Sequence, residues 1–399
     1  MLLMIILNVF CDSNDRMVEK MEYREIGKTG CKGSIIGLGC EHLDGKPYAQ
    51  VNETISAALE NGINILDVFM PGKEIRQNIA KALGSRRKDV FIQGHIGSTD
   101  VSQQYDISRD LPVVQRYFED LLRIFGYIDF GMMFFIDSEE DYHGVFDTGF
   151  ADYVLRLKER GDIRHIGFSS HNPAMAMRVI QTGLPEMLMF SINMAFDLIP
   201  AETNALDALN EGLNATAFHG IDPKRTALYQ LCAKKGIGIT VMKTLGAGKL
   251  ISKEHTPFEK PLSVAQCIHY ALTRPAVAST LIGCQTEGEV KEAVRYLDLS
   301  DEERDYTPVL GTLRNDFKGN CVYCSHCQPC PAGIDIASVN KYLDIARLDE
   351  ANIPPSVRSH YASLAAKGSD CIACGSCEGR CPFGVPVIEN MAKAAELFE

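Results

Sequence analysis

The sequence predicts an α/β chain in which a (β/α)8 barrel of the TIM type is followed by a small α-helical, ferredoxin-like module built around two cysteine runs. Three observations predict it. Eight short, almost wholly apolar segments alternate with amphipathic ones between residue 33 and about residue 290. Most of the apolar segments end in polar residues. Eight of the fourteen cysteines crowd into residues 321–330 and 371–381.

The 399 residues, 46% of them hydrophobic, suffice for a large core and more than one domain. A formal net charge of −12 speaks against nucleic acid as the main partner, because phosphate binding needs clustered Lys and Arg. No apolar run reaches the roughly 20 residues of a membrane helix, so no membrane partner is expected. Residues 1–10, MLLMIILNVF, follow no positive segment and precede no small-residue cleavage site. Residues 1–20 therefore read as a flexible or over-annotated start to a cytoplasmic protein whose folded part begins near Met21. Six cysteines are scattered (Cys11, Cys31, Cys40, Cys232, Cys267 and Cys284) and the rest are packed, a pattern of metal binding rather than of a disulfide framework.

Along the chain, SIIGLGCEH reads as a buried strand, QVNETISAALENG as an amphipathic helix closed by Asn61-Gly62, and INILDVF as the next strand. VFIQGHIG, YIDFGMMFFID, RHIGFSSHN, MLMFSIN, GIGITVMKTLG and STLIGCQ continue the strands, with helical stretches such as LPVVQRYFEDLLRIFG, DYVLRLKERG and LSVAQCIHYALTRP between them. Strands apolar throughout and separated by helices imply a parallel sheet covered on both faces. Eight of them in about 270 residues match a barrel, assigned here to residues 21–299. A doubly wound open sheet is the alternative, but no GxGxxG follows the first strand.

In a barrel the C-terminal strand ends share one mouth, where active sites lie. In order they carry Glu41 and His42, Asp67, His95, Asp137, Ser169 with His171, Asn193, Lys243, and Gly283 with Cys284. Any one alone reads as a cap or loop residue. Together they read as a working site, since close charges perturb one another's pKa.

After a charged linker, residues 300–320, the module spans residues 321–399. Cys371-x2-Cys374-x2-Cys377-x3-Cys381-Pro382 has the bacterial ferredoxin spacing, and Cys321-x2-Cys324-x2-Cys327-x2-Cys330-Pro331 is one residue shorter in its last gap. In such tandems three close thiolates grip one cubane and the cysteine before proline reaches the neighbouring one. Two [4Fe–4S] clusters follow: one on Cys321, Cys324, Cys327 and Cys381, the other on Cys371, Cys374, Cys377 and Cys330. Structural zinc and disulfides are the alternatives, although a zinc ribbon needs four ligands, not eight. Between the runs, IDIASVNKYLDIARLDE and SVRSHYASLAAKG read as helices, the second ending at a C-cap Gly368.

EYREIGKTGCKGSIIGLGC, NGINILDVF, RHIGFSSHNPAMAMRVI, VMKTLGAGKL and CIACGSCEGRCP, in this order, resemble an aldo/keto reductase with a C-terminal iron–sulfur extension, over roughly residues 22–399. The resemblance implies an Asp, Tyr, Lys and His tetrad in which Tyr donates a proton and NADPH delivers hydride. Asp67 matches the aspartate. VFMPGKEIRQNIAKAL, which follows it, has no tyrosine; His95 stands at the lysine position; Phe134 or a neighbour stands at the histidine position. For NAD(P)H, the resemblance places Ser169 and Asn193 at the nicotinamide amide. The turn Gly246-Ala247-Gly248-Lys249 reads either as a pyrophosphate loop or as a plain glycine-rich turn, and Gly283 joins the cofactor set. Glu287 and Glu289 occupy the region where a cation for the 2′-phosphate is expected; near a helix N-terminus they suit the dipole but repel phosphate.

The resulting expectation is an iron–sulfur oxidoreductase acting on a small carbonyl or alcohol at the barrel mouth. Glu41, Asp67 and His95 handle protons there, and electrons pass through the two clusters to or from a redox partner such as a ferredoxin or flavoprotein. An imidazole titrates near neutrality, at about 6.5, and flanking carboxylates favour its charged form. Arg76 either holds a substrate carboxylate, pairs with Glu41, or is solvated on a helix surface. The alternatives are a divergent barrel serving as an electron-transfer or docking subunit, and a non-redox lyase or isomerase.

Overall fold

The computed structural model describes residues 20–100, 105–201, 203–211, 221–310 and 319–399. An antiparallel hairpin, β1 (Tyr23–Glu25) and β2 (Lys32–Ser34), comes first. The strands β3 (Ile36–Gly39), β4 (Ile65–Val68) and β5 (Phe91–Ile96) follow, then a second hairpin, β6 (Ser98–Asp100) and β7 (Tyr105–Ile107). β8 (Ile128–Met133), β9 (Ile163–Ser170), β10 (Met187–Ser191), β11 (Gly238–Met242) and β12 (Val277–Gly283) complete the set. β3, β4, β5 and β8 to β12 form a closed barrel of parallel strands, and β12 returns to β3 with Thr280 opposite Ile36 and Gly283 opposite Gly39. That closure removes the open-sheet alternative.

The strands are apolar on both faces because each face is covered. Inside, Ile65, Phe130, Met132, Met187, Met189, Ala278 and Leu281 fill the barrel, with Ile26 of the first hairpin packed among them. Outside, helices such as Tyr48–Glu60, Leu111–Phe125 and Val264–Leu272 bury their apolar faces in the main core. Asn61 caps the first of these, with Gly62 at φ +79 beyond it. The first hairpin also closes the lower end: a Cβ on Gly27 would lie 2.4 Å from Gly238 N, so the turn and the start of β11 meet backbone to backbone. The β6–β7 hairpin was not legible in the sequence, since strands of three residues, STD and YDI, are too short to establish a period.

In the module, helices Ile336–Ala346, Pro355–Ala362 and Val387–Phe398 pack together. A buried amide pair, Asn390 Nδ2 to Asn340 Oδ1 at 2.7 Å, joins the first to the last. The helix expected to end at Gly368 stops at Ala362, with Ser363 as its cap. Gly368 is needed for packing instead. It is buried, its N–H donates to Tyr361 Oη at 2.8 Å, and a Cβ there would lie 2.4 Å from Met391 O. The module sits on the outer wall of the barrel. Ala233, near the end of helix Pro223–Lys235, packs against Ile345, Ala346, Ile353 and Val357, and Arg274, just after helix Val264–Leu272, reaches Val322 O.

Two predictions follow from this packing. Gly368→Ala should lower unfolding free energy by about 1–3 kcal/mol, read by denaturant titration, because the backbone of the last helix cannot retreat. Glu186 accepts from His165 (3.0 Å), Ile166 N (3.1 Å) and Lys158. Burial alone would push its carboxyl up, but those bonds hold it at about 2 against a usual 4.5. Its contribution is therefore present above pH 4.5 and lost as pH falls towards 2. Glu186→Gln should cost about 1 kcal/mol at pH 7, discounted for partial exposure, and the gap to wild type should close over that acid range.

Candidate active site and thiol cavities

A cavity of about 510 Å³ opens at the C-terminal ends of the strands. Among its lining residues are Glu41, Asp67, His95, Ser169, Gly248 and Gly283, so six of the eight predicted catalytic and cofactor residues share one space. His95 and Asp67 are in direct contact: His95 Nε2 lies 2.7 Å from Asp67 Oδ1, and both are buried. Gln93 Nε2 donates to the same oxygen at 3.2 Å and lies 3.6 Å from Met189 Sδ. With Nε2 committed to the carboxylate, Nδ1 is the remaining functional atom of His95; it is buried and has no hydrogen-bond partner among the described residues. Phe134 meets the ring edge-on, with centroids 5.2 Å apart, and Phe69 at 6.0 Å. The dyad thus sits in an apolar, aromatic wall.

The rest of the mouth is ionic. Lys243 Nζ stands 3.7 Å from Glu41 Oε2, so Glu41 faces the lysine, not His95. His171 Nδ1 lies 2.8 Å from Asp137 Oδ2. Burial alone would push the Asp137 carboxyl up, but His171 and the Ser170 hydroxyl hold it below the usual carboxylate range. Three lining residues without the freedom of glycine, Phe135, Lys243 and Ala247, have φ of +56, +59 and +53. Backbone strain of this kind collects at functional mouths.

Several sequence expectations are corrected here. Asn193 is 1% exposed and is not among the residues that line the cavity: Oδ1 accepts from Phe196 N at 2.9 Å and Nδ2 donates to Lys243 O at 2.9 Å. It caps helix Met194–Leu198 and ties it to the β11 loop, a positioning role in place of the nicotinamide contact. Gly246 faces Leu250, as its neighbours Ala247 and Gly248 line the cavity. Arg76 is neither solvated nor near Glu41. It is 1% exposed and donates to Met70 O (2.8 Å) and Tyr117 O (2.9 Å), and burial lowers its pKa to about 10. Ser169 lines the cavity, but its hydroxyl oxygen also accepts from Phe135 N at 2.9 Å. Gln93 was missed. A polar residue two positions before His95 in an apolar strand shares its inward face, and that period is the signal for it.

The module holds two smaller cavities. One is lined by Cys321, Cys324, Cys327 and Cys381, the other by Cys330, Cys371, Cys374 and Cys377. The two runs share a backbone pattern. Tyr323 and Ala373, before the second cysteine of each, have φ of +58 and +53; Ser325 and Gly375, after it, have +62 and +73. Alternation of right- and left-handed residues turns successive N–H groups inward and makes an anion-binding nest. Arg380 bridges the runs by donating to Pro329 O at 2.8 Å and to Cys327 O. The cavities differ in setting. Cys374 is exposed, whereas burial pushes the free thiols of Cys324 and Cys327 up to about 11 and about 12. Among the described residues, no three His, Cys, Asp or Glu side chains converge to hold a single metal ion. No described helix is long and apolar enough to cross a membrane.

A parallel eight-stranded barrel with ionisable groups gathered at its C-terminal mouth defines the class. The aldo/keto reductase family model matches residues 35–266, and the chain belongs to that family; it is an oxidoreductase. Among solved structures, an aldo-keto reductase of Bacillus halodurans in its holo form is similar with a TM-score of 0.54 and 19% identity, over 74% of this chain and 97% of that one. A Pseudomonas aeruginosa protein titled as an aldo-keto reductase is similar with a TM-score of 0.52 and 17% identity, over 69% of this chain and 95% of that one. At these identities the likeness is one of fold. No curated protein matches the chain.

Proposed function

We propose that this family member is an iron–sulfur oxidoreductase that interconverts a small carbonyl and its alcohol at the barrel mouth, with His95 as the proton-transfer residue and Asp67 as its partner. The observation that carries the reading is the His95 imidazole: it lines the cavity, its Nε2 is held by Asp67, and its Nδ1 has no partner among the described residues. Nε2–H donating to the carboxylate fixes the ring and leaves Nδ1 to give one proton to the substrate oxygen on reduction, or to take it back on oxidation; the carbon gains or loses the second proton, exchanged with solvent, and the two electrons would come or go one at a time through the clusters proposed below. Phe69 and Phe134 pack edge-on against the imidazole ring, and Lys243 offers a cation for a polar group of the substrate. Glu41 holds Lys243 in place, a role different from flanking His95.

Two [4Fe–4S] clusters fit the module. The thiols line two cavities in crossed sets, one from Cys321, Cys324, Cys327 and Cys381 and the other from Cys371, Cys374, Cys377 and Cys330, and each has its nest of N–H groups. Such clusters supply single electrons. A small ferredoxin or flavoprotein is the partner in keeping with that chemistry, and a reducing cytoplasm the matching compartment.

NAD(P)H is the usual cofactor of the family. Two observations weigh against it here: Asn193 is buried away from the cavity lining, and Glu289 and Glu292 put carboxylates on that lining. Nothing in the mechanism runs through it. The alternative, an electron-transfer or docking subunit, draws support from one observation. The mouth is lined by residues between Gly39 and Glu292, while the thiol cavities lie on the outer wall.

Anaerobic reconstitution should give about eight iron and eight sulfide per chain, as two four-iron cubes require; zinc in their place, or no sulfide, overturns the cluster assignment. His95→Ala, assayed with a panel of small aldehydes and ketones, should lose at least about 100-fold in turnover with the cluster absorbance unchanged. Full turnover in that variant removes His95 from the mechanism.

A further inference from the structure

We infer that Arg274 is a fixed positive charge that raises the reduction potential of the cluster assigned to the Cys321, Cys324, Cys327 and Cys381 cavity, an inference that rests on the cluster reading above. Arg274 is 3% exposed. Its Nη2 donates to Val322 O, to Tyr306 Oη at 3.1 Å and to Thr273 Oγ1 at 3.0 Å, and the guanidinium lies 4.5 Å from the ring centre of Tyr270 and 5.4 Å from that of Tyr323. Tyr306 Oη donates to the same Val322 carbonyl at 3.0 Å. Val322 and Tyr323 are the two residues between Cys321 and Cys324, so this charge is locked against the cysteine loop itself.

Among the described residues Arg274 forms no ion pair of its own, and the carboxylate that acts on it, Asp197, is already bonded to three other donors. Its Nε is buried without a hydrogen-bond partner. The acids nearby are taken: Asp305 Oδ2 lies 2.7 Å from His326 Nδ1, Asp344 accepts from Tyr323 Oη at 2.6 Å, and Asp197 accepts from Arg225, Tyr229 and Tyr270. A buried cation left unpaired is strongly unfavourable, and structures that keep one compensate it with an anion close by. A thiolate-ligated iron–sulfur cube is such an anion, and it becomes more negative when it takes up an electron, so a fixed cation beside it favours the reduced form. The other cavity is set differently. Its Cys374 is exposed and its Ile372 is 66% exposed, so water does much of the screening there.

The test is a potentiometric titration of the reconstituted full-length chain under anaerobic conditions, with dithionite as the one-electron reductant and electron paramagnetic resonance as the readout. Cys324→Ser and Cys374→Ser assign the two signals to their cavities. Arg274→Gln should shift the midpoint of the Cys324-assigned signal downward and leave the other in place, while Arg274→Lys, which keeps the charge, should stay near wild type. If Arg274→Gln does not fold, Tyr306→Phe removes a donor to the same carbonyl and should shift the same midpoint downward by less. An unmoved midpoint in the folded neutral variant, or an equal shift of both signals, overturns the role of Arg274. Wild-type protein that takes up no iron and sulfide overturns the cluster reading instead, and the inference with it.

Discussion

Asp197 is the interaction on which the two halves of the molecule depend. This carboxylate is fully buried, and it accepts from Arg225 Nε at 2.8 Å, Tyr229 Oη at 2.6 Å and Tyr270 Oη at 2.7 Å. A buried charge is tolerable only when satisfied in this way, and removal of its partners leaves it stranded at a cost of about 3–5 kcal/mol. Asp197 belongs to the short helix after β10, at the mouth. Arg225 and Tyr229 belong to helix Pro223–Lys235, against which the thiol module packs, and Tyr270 to helix Val264–Leu272, just beyond which Arg274 reaches Val322. One side chain thereby ties the floor of the mouth loops to the wall that carries the cysteines.

From Asp197 a chain of contacts runs both ways. Its own backbone N–H donates to Asn193 O at 3.1 Å, and Asn193 holds Lys243 O. On the other side the Tyr270 ring receives the Arg274 guanidinium, which reaches Val322 beside Cys321. Such spatial continuity is not by itself proof of coupling. It does explain why Asn193 and Arg274, both polar, are buried where a cofactor contact or a solvated loop would otherwise be expected.

The barrel was legible because its signal is periodic: apolar runs of strand length between amphipathic helices admit few other packings. The mouth was legible in part. Strand-end position places Asp67 and His95 on one face, and the structure brings them into contact. What position alone does not convey is which polar atoms the fold uses up. Asn193 and Arg76 look available in a string of letters, yet both are buried and bonded to backbone groups that only tertiary structure brings to them. Gly368 is the same lesson in the module: its place after a helix suggests a cap, whereas the constraint comes from a helix twenty residues further on.

The backbone contact between Gly27 and Gly238 makes the barrel a blind sac. Ile26 fills the lower end, so among the described residues the space inside the barrel opens on the C-terminal side, where Lys243 and Glu41 stand. A substrate and its product then share one threshold, and a bound product blocks the seat of its successor.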